Sequence, residues 1–205
     1  TQARRGQGGQ SSSDSGYNSG GATSPPGSPR SNIIDKFPFS SDGNATDVGD
    51  LTVARGYGAG QSSSSNGYMS GANYSPSRDV IDKFPFSSDA SASDVGDLTV
   101  ARDSLAGQSS TDYGYSSGGP FPSGTTIIDK FAFASDGNAS DVGDLTQARR
   151  GVAGQSSTAS GYTCGGNPPT DGLNTIDKFP FSSDANATDV GDLTQIRSYT
   201  IGQQV

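Results

Sequence analysis

Apolar and polar residues alternate over short distances in this chain and then break. In "VIDKFPF" (Val80 to Phe86), Asp82, Phe84 and Phe86 fall on one face, while Ile81, Lys83 and Pro85 fall on the other. A period of two over seven residues predicts a strand. Pro85 sits near its end, where a lost ladder donor is tolerated. After a turn rich in Asp, Gly, Asn and Ser comes a second apolar piece, typified by "ATDVGDLT" (Ala45 to Thr52). Upstream lie two small, polar strand-like pieces, "GAGQSSSS" (Gly58 to Ser65) and "GYMSGA" (Gly67 to Ala72). No window carries a sustained apolar period of 3.6, so helix is expected nowhere except as a short turn.

This four-piece unit recurs. "IDKFPFSSDGNATDVGDLT" begins at Ile34 and returns, with small changes, at Ile81, Ile128 and Ile176. Thr52, Thr99, Thr146 and Thr194 are spaced 47, 47 and 48 residues apart. A period of that length predicts a four-stranded propeller blade. The fold expected is all-β, a single repeat domain over 1–205, with blades at approximately 1–51, 52–98, 99–145 and 146–193. Residues 194–205 then begin a fifth repeat or supply a closing or exchanged strand, an edge through which copies could self-associate. A lone blade cannot cover both of its faces. Stacking would bury Ile34, Phe37, Phe39, Val48, Leu51 and their equivalents, which is how a sparse apolar set can build a core.

Composition sharpens that argument. Only 29% of residues are hydrophobic, with 30 Gly and 11 Pro, a balance that by itself leans toward disorder. Order must therefore come from the repetition. All 21 acidic residues are Asp, and the lysines are Lys36, Lys83, Lys130 and Lys178 alone. A net charge of -8 argues against nucleic acid as a partner. No run of about twenty apolar residues exists, so no membrane insertion is expected.

Candidate chemistry is sparse. With no His, Ser-His-Asp and Cys-His arrangements are excluded. The lone Cys164 stands where other repeats carry Ser or Ala and is taken as a bland substitution. Asp42, Asp47 and Asp50 recur in equivalent copies, without the asymmetry that acid-base catalysis needs. The chain is read as non-enzymatic and without a cofactor. Calcium, if bound, would draw on the oxygens of Asp42, Asn44, Asp47 and Asp50, although the same residues suit Asx-turns. Asn44, Asn73, Asn138 and Asn186 head glycosylation acceptor patterns that the turn reading also explains. Arg4, Arg55, Arg102, Arg149 and Arg197 hold one repeat position, where a five-donor guanidinium could tie blades together. Tyr17, Tyr68, Tyr115 and Tyr162 are packing residues or, in the competing reading, a ligand platform. Gln10, Gln61, Gln108, Gln155 and Gln203 would form a layer near the axis.

The order Arg, small inner strand, Gly-Tyr-x-x-Gly-Gly, loop, aromatic strand, turn and final strand resembles the kelch-type propeller blade. The double glycine is Gly20-Gly21, Gly118-Gly119 or Gly165-Gly166, while Val48, Val95, Val142 and Val190 stand where kelch blades usually carry Trp. The repeated motifs also resemble the IDKFPF/DATDVGDL/AGQSS repeat proteins of marine bacteriophage genomes. That resemblance implies a structural or adhesion protein on a virion or other extracellular particle. The alternative is a lectin-like propeller with one glycan site per blade. Loops 22–32, 72–79, 119–126 and 166–175 differ in every copy, and a cell-surface glycan is a candidate partner.

Overall fold

Each repeat closes its own antiparallel sheet, because tight turns return each strand onto the last. The computed structural model describes residues 3–23, 29–72, 78–120, 122–168, 172–199 and 202. In chain order the first repeat gives β1 (Arg4–Arg5), β2 (Gly8–Ser11), β3 (Ser15–Ser19), β4 (Ala22–Thr23), β5 (Ile33–Pro38) and β6 (Thr46–Asp50). The second gives β7 (Ala59–Ser62), β8 (Asn66–Ala72), β9 (Arg78–Pro85) and β10 (Ser93–Asp97). The third gives β11 (Ala106–Ser109), β12 (Tyr113–Ser117), β13 (Thr125–Ala132) and β14 (Ser140–Arg149). The fourth gives β15 (Ala153–Ser156), β16 (Ser160–Cys164), β17 (Thr175–Pro180) and β18 (Thr188–Asp192). The sheets run β2-β3-β5-β6, β7-β8-β9-β10, β11-β12-β13-β14 and β15-β16-β17-β18, with β1 and β4 forming a small extra pair. The described residues contain no helix, and the four sheets are arranged as a four-bladed β-propeller.

Inner strands β2, β7, β11 and β15 pack side by side in that order. Their glycines make this possible. A Cβ on Gly60 would stand 2.2 Å from the Gly9 carbonyl oxygen, one on Gly107 2.2 Å from that of Gly60, and one on Gly154 2.2 Å from that of Gly107. Gly202 continues the series against Gly154. The described part of the final segment thus rests on blade 4 of its own chain, where a next inner strand would lie.

Within a blade, Gly67 pairs with Phe84 across β8 and β9, and the phenyl ring covers the space a side chain would occupy. The same glycine-phenylalanine pair recurs in every blade. Between blades, Tyr17 stacks on Phe86 (4.8 Å) and tilts against Phe84 (5.5 Å). Tyr68 does the same with Phe131 and Phe133, and Tyr115 with Phe179 and Phe181. The glutamines enter the same seams: Gln10, Gln61 and Gln108 each donate through Nε2 to the carbonyl of the next blade's tyrosine. Gln203 lies outside the described residues.

The expected core is correct inside the stack and incomplete at its two ends. Ile34 and Leu51 are buried, but Phe39 is 56% exposed and Val190 50%. Phe37 and Phe39 have only each other as aromatic neighbours, and Tyr162 has none among the described residues. Among the described residues, no ring stack like those of the three seams joins blade 4 to blade 1.

Gly107→Val should destabilise the chain by about 3 kcal/mol in urea denaturation, since backbone stands where the side chain must go. Gly9→Ala, at the equivalent position with nothing within 4 Å, should change stability by less than about 0.5 kcal/mol. Equal effects would refute the seam.

Burial pushes the Tyr115 phenol from 10.0 up to about 12, and shifts Tyr68 in the same direction. The folded state therefore favours the protonated ring. That stabilisation is complete below pH 10 and is lost as pH rises toward about 12. Ultraviolet titration should show Tyr115 still protonated when exposed tyrosines have ionised, with melting temperature falling through that window.

Candidate functional site

The arginine series is the most deeply buried polar feature. Arg102 is fully buried, and its Nη2 donates to Asp129 Oδ2 and to Ser116 O, both at 2.9 Å. Its Nη1 reaches Gly118 O at 3.2 Å and Ile127 O at 3.0 Å. Asp129 is completed by Thr99, whose N–H (3.1 Å) and Oγ1 (2.7 Å) donate to the two carboxylate oxygens. Arg55 with Asp82 and Arg149 with Asp177 repeat this arrangement. Arg4 pairs with Asp35, and its Nη1 also donates to Gly20 O, Ser31 Oγ and Ile33 O. Burial pushes the Arg55, Arg102 and Arg149 pKa values down against the pull of these aspartates. Arg197, exposed, has no ion pair among the described residues.

The tyrosine series is mostly closed to ligands. Tyr17, Tyr68 and Tyr115 are buried in the seams with their rings against phenylalanine, so none of the three offers a free face. This corrects the platform reading for those residues. Only Tyr162, half-buried on blade 4, keeps an open flank.

The acidic turns of blades 2 to 4 are likewise occupied by the preceding blade, whereas Asp42 and Asn44 have no such partner among the described residues. Lys36, Lys83 and Lys130 pair with Asp89, Asp136 and Asp184, the counterparts of Asp42 in the next blade. Asn138 and Asn186, counterparts of Asn44, accept the N–H of Asp97 and Asp144 from the preceding blade. Asp47 Oδ1 accepts the Gly49 N–H. Asp50 caps the next blade through its carbonyl, which accepts the Ala92 N–H. Among the described residues, no group of three or more acidic or thiol side chains could hold a metal ion. Asn73 lies outside the described residues. Cys164 is buried, and burial pushes its thiol pKa up.

Two positions after each frame arginine the repeats disagree, and there the structure assembles a site that the repeat reading passed over. Gly6, Tyr57, Ser104, Gly151 and Tyr199 occupy this slot, all left-handed, with φ of 64°, 60°, 57°, 62° and 54°. Their backbones form one continuous spiral: Tyr57 N–H donates to Gly6 O, Ser104 to Tyr57 O, Gly151 to Ser104 O and Tyr199 to Gly151 O. Glycine adopts this conformation freely, whereas each non-glycine residue costs about 1 kcal/mol. Each tyrosine ring lies over a preceding glycine, Tyr57 on Gly6 and Tyr199 on Gly151. Arg30 stands over the Tyr57 ring, 5.7 Å from its centroid.

This spiral rims a cavity of about 720 Å³ at one end of the axis. Arg5, Gln7, Asn18, Leu105 and Val152 complete its wall. The second strand of each blade finishes at this same end, where Ser19, Ser70, Ser117 and Cys164 pair with Gly8, Ala59, Ala106 and Ala153. The available signal was the variability of the slot between a constant Arg and a constant Gly-Gln.

Arg102→Met should cost about 3–5 kcal/mol by stranding Asp129. Arg102→Lys should recover little, because an ammonium cannot span four acceptors. Arg102→Met with Asp129→Leu should cost less than the single change, as measured by calorimetric or urea unfolding.

No protein-family profile matches this chain, and no curated protein does. Among solved structures, YjhT is similar: the TM-score is 0.76 at 10% identity, with 95% of this chain and 67% of that chain covered. At that identity the likeness is one of fold alone. It supports the β-propeller fold.

Proposed function

We propose that this chain is a non-enzymatic structural and adhesion module, a kelch-like propeller displayed on a virion or other extracellular particle. One observation carries the reading. The frame side chains that could do chemistry are consumed in repeated ties within and between blades, while the slot residues that differ between repeats line one cavity. Variable residues on a rigid scaffold are where binding surfaces commonly sit. The sequence resemblance to marine bacteriophage repeat proteins supplies the setting. A lectin with one site per blade is disfavoured by the buried seam tyrosines, which leaves the shared axial end as the contact surface. The terminal segment around Thr194 remains a candidate route to self-association.

The burial of Cys164 allows a clean test. A cysteine placed at Ser123, on the loop end, or at Ser40, on the opposite turn, can be coupled to a polyethylene glycol chain while Cys164 stays unreacted. Beads coated with each conjugate are then counted on bacterial envelopes. Shielding at position 123 should reduce retention at least tenfold, and shielding at position 40 should leave it unchanged. Equal retention for the two conjugates, or no retention of the unshielded chain, would overturn the adhesion reading.

A further inference from the structure

The axial mouth differs from the rest of the molecule in having polar side chains with nothing to do. Every frame arginine within the stack is tied to an aspartate and to backbone carbonyls. Arg5, by contrast, is exposed on the cavity wall, and its side chain has no hydrogen bond or ion pair among the described residues. The Gln7 and Asn18 side-chain amides line the same wall and are also without partners there. Tyr199 reaches in from the last repeat, 53% exposed, with its ring over Gly151 and the rest of the ring open. Leu105 and Val152 provide an apolar floor.

The left-handed slot gives these side chains further meaning. Gly6 and Gly151 show that the spiral needs only a glycine there. Tyr57, Ser104 and Tyr199 hold the same strained conformation with a side chain attached, and all three contribute to the one cavity. Strain of this kind persists where the surroundings enforce it and clusters at ligand clamps. An open aromatic ring, a free guanidinium and two free amides converge on a cavity of a size typical for small ligands.

Resting on the adhesion reading, we propose that the axial mouth is a single binding site for an acidic saccharide, one carboxylated sugar ring seated per chain. The apolar face of the ring stacks on Tyr199. Its carboxylate takes the Arg5 guanidinium, whose planar fork matches that geometry. Its hydroxyls exchange hydrogen bonds with Gln7 and Asn18, since an amide offers both donors and an acceptor. Arg30 holds Tyr57 as the opposite wall through its position over that ring. The acid on the wall, Asp103, is buried and its Oδ1 accepts the Ser104 hydroxyl. A saccharide fits better than an acidic peptide because one free cation is accompanied by two amides suited to hydroxyls.

The test is calorimetric titration of the full chain with trigalacturonate, against maltotriose as the neutral counterpart and triglutamate as the acidic peptide. Trigalacturonate should bind at least tenfold tighter than either, with affinity falling as salt rises. Arg5→Ser and Tyr199→Ser should each weaken it at least tenfold, Tyr199→Phe should retain it, and Arg78→Ser, away from the cavity, should leave it unchanged. Absence of trigalacturonate binding, equal binding of maltotriose, tighter binding of triglutamate or indifference to Arg5→Ser would each overturn the proposal. Retention of coated beads on envelopes without trigalacturonate binding would remove the saccharide and leave adhesion standing. Loss of both would remove the adhesion reading itself.

Discussion

The structure depends on a guanidinium buried within each blade. A charge taken out of water must be repaid by geometry, and the frame arginine meets that demand by bonding to an aspartate of the aromatic strand and to carbonyls of neighbouring strands. Satisfaction is not complete: the Nε atoms of Arg55, Arg102 and Arg149 have no acceptor. The same orphan in three successive repeats shows that the pair is held for its geometry, with some loss of stability accepted. What the pair fixes is the segment that enters a blade against that blade's own second and third strands. The tyrosine stack, the glycine-to-carbonyl contact and the lysine-aspartate tie then join each blade to the next.

Much of this was legible in the sequence, because a repeat writes the same physical solution several times. The four strands, the turns and the arginine position were readable from period-two alternation and from spacing. Which side of a blade faced its successor was not. Tyr17 and Phe86 are far apart in the chain, and nothing local states that one stacks on the other. The exposure of Phe39 and Val190 was hidden for the same reason, since burial at a seam is a property of two blades. The mouth was not legible because its residues are the ones the repeat does not hold constant. Tyr57, Ser104 and Tyr199 look like noise between Arg and Gly-Gln until the backbone spiral brings them together.

The division between constant and variable positions also bears on function. Asp82, Asp129 and Asp177 each combine an arginine with a threonine, and Asp89, Asp136 and Asp184 each hold a lysine. Carboxylates committed in this way are bound into the frame. Side chains at the mouth carry no such duty, because backbone hydrogen bonds already fix the slot.

Each interior blade is held by two junctions, while blades 1 and 4 are held by one, and the junctions all point the same way around the ring. A stack of this kind behaves as a one-dimensional chain of coupled units, in which opening starts where a neighbour is lacking. Order should therefore be deepest at β7 to β14 and shallowest at the flanks. The molecule also has a direction: one flank shows phenylalanine and aspartate, the other tyrosine and lysine. Fraying from these flanks would be chemically unlike, one releasing an aromatic pair and the other a cationic edge.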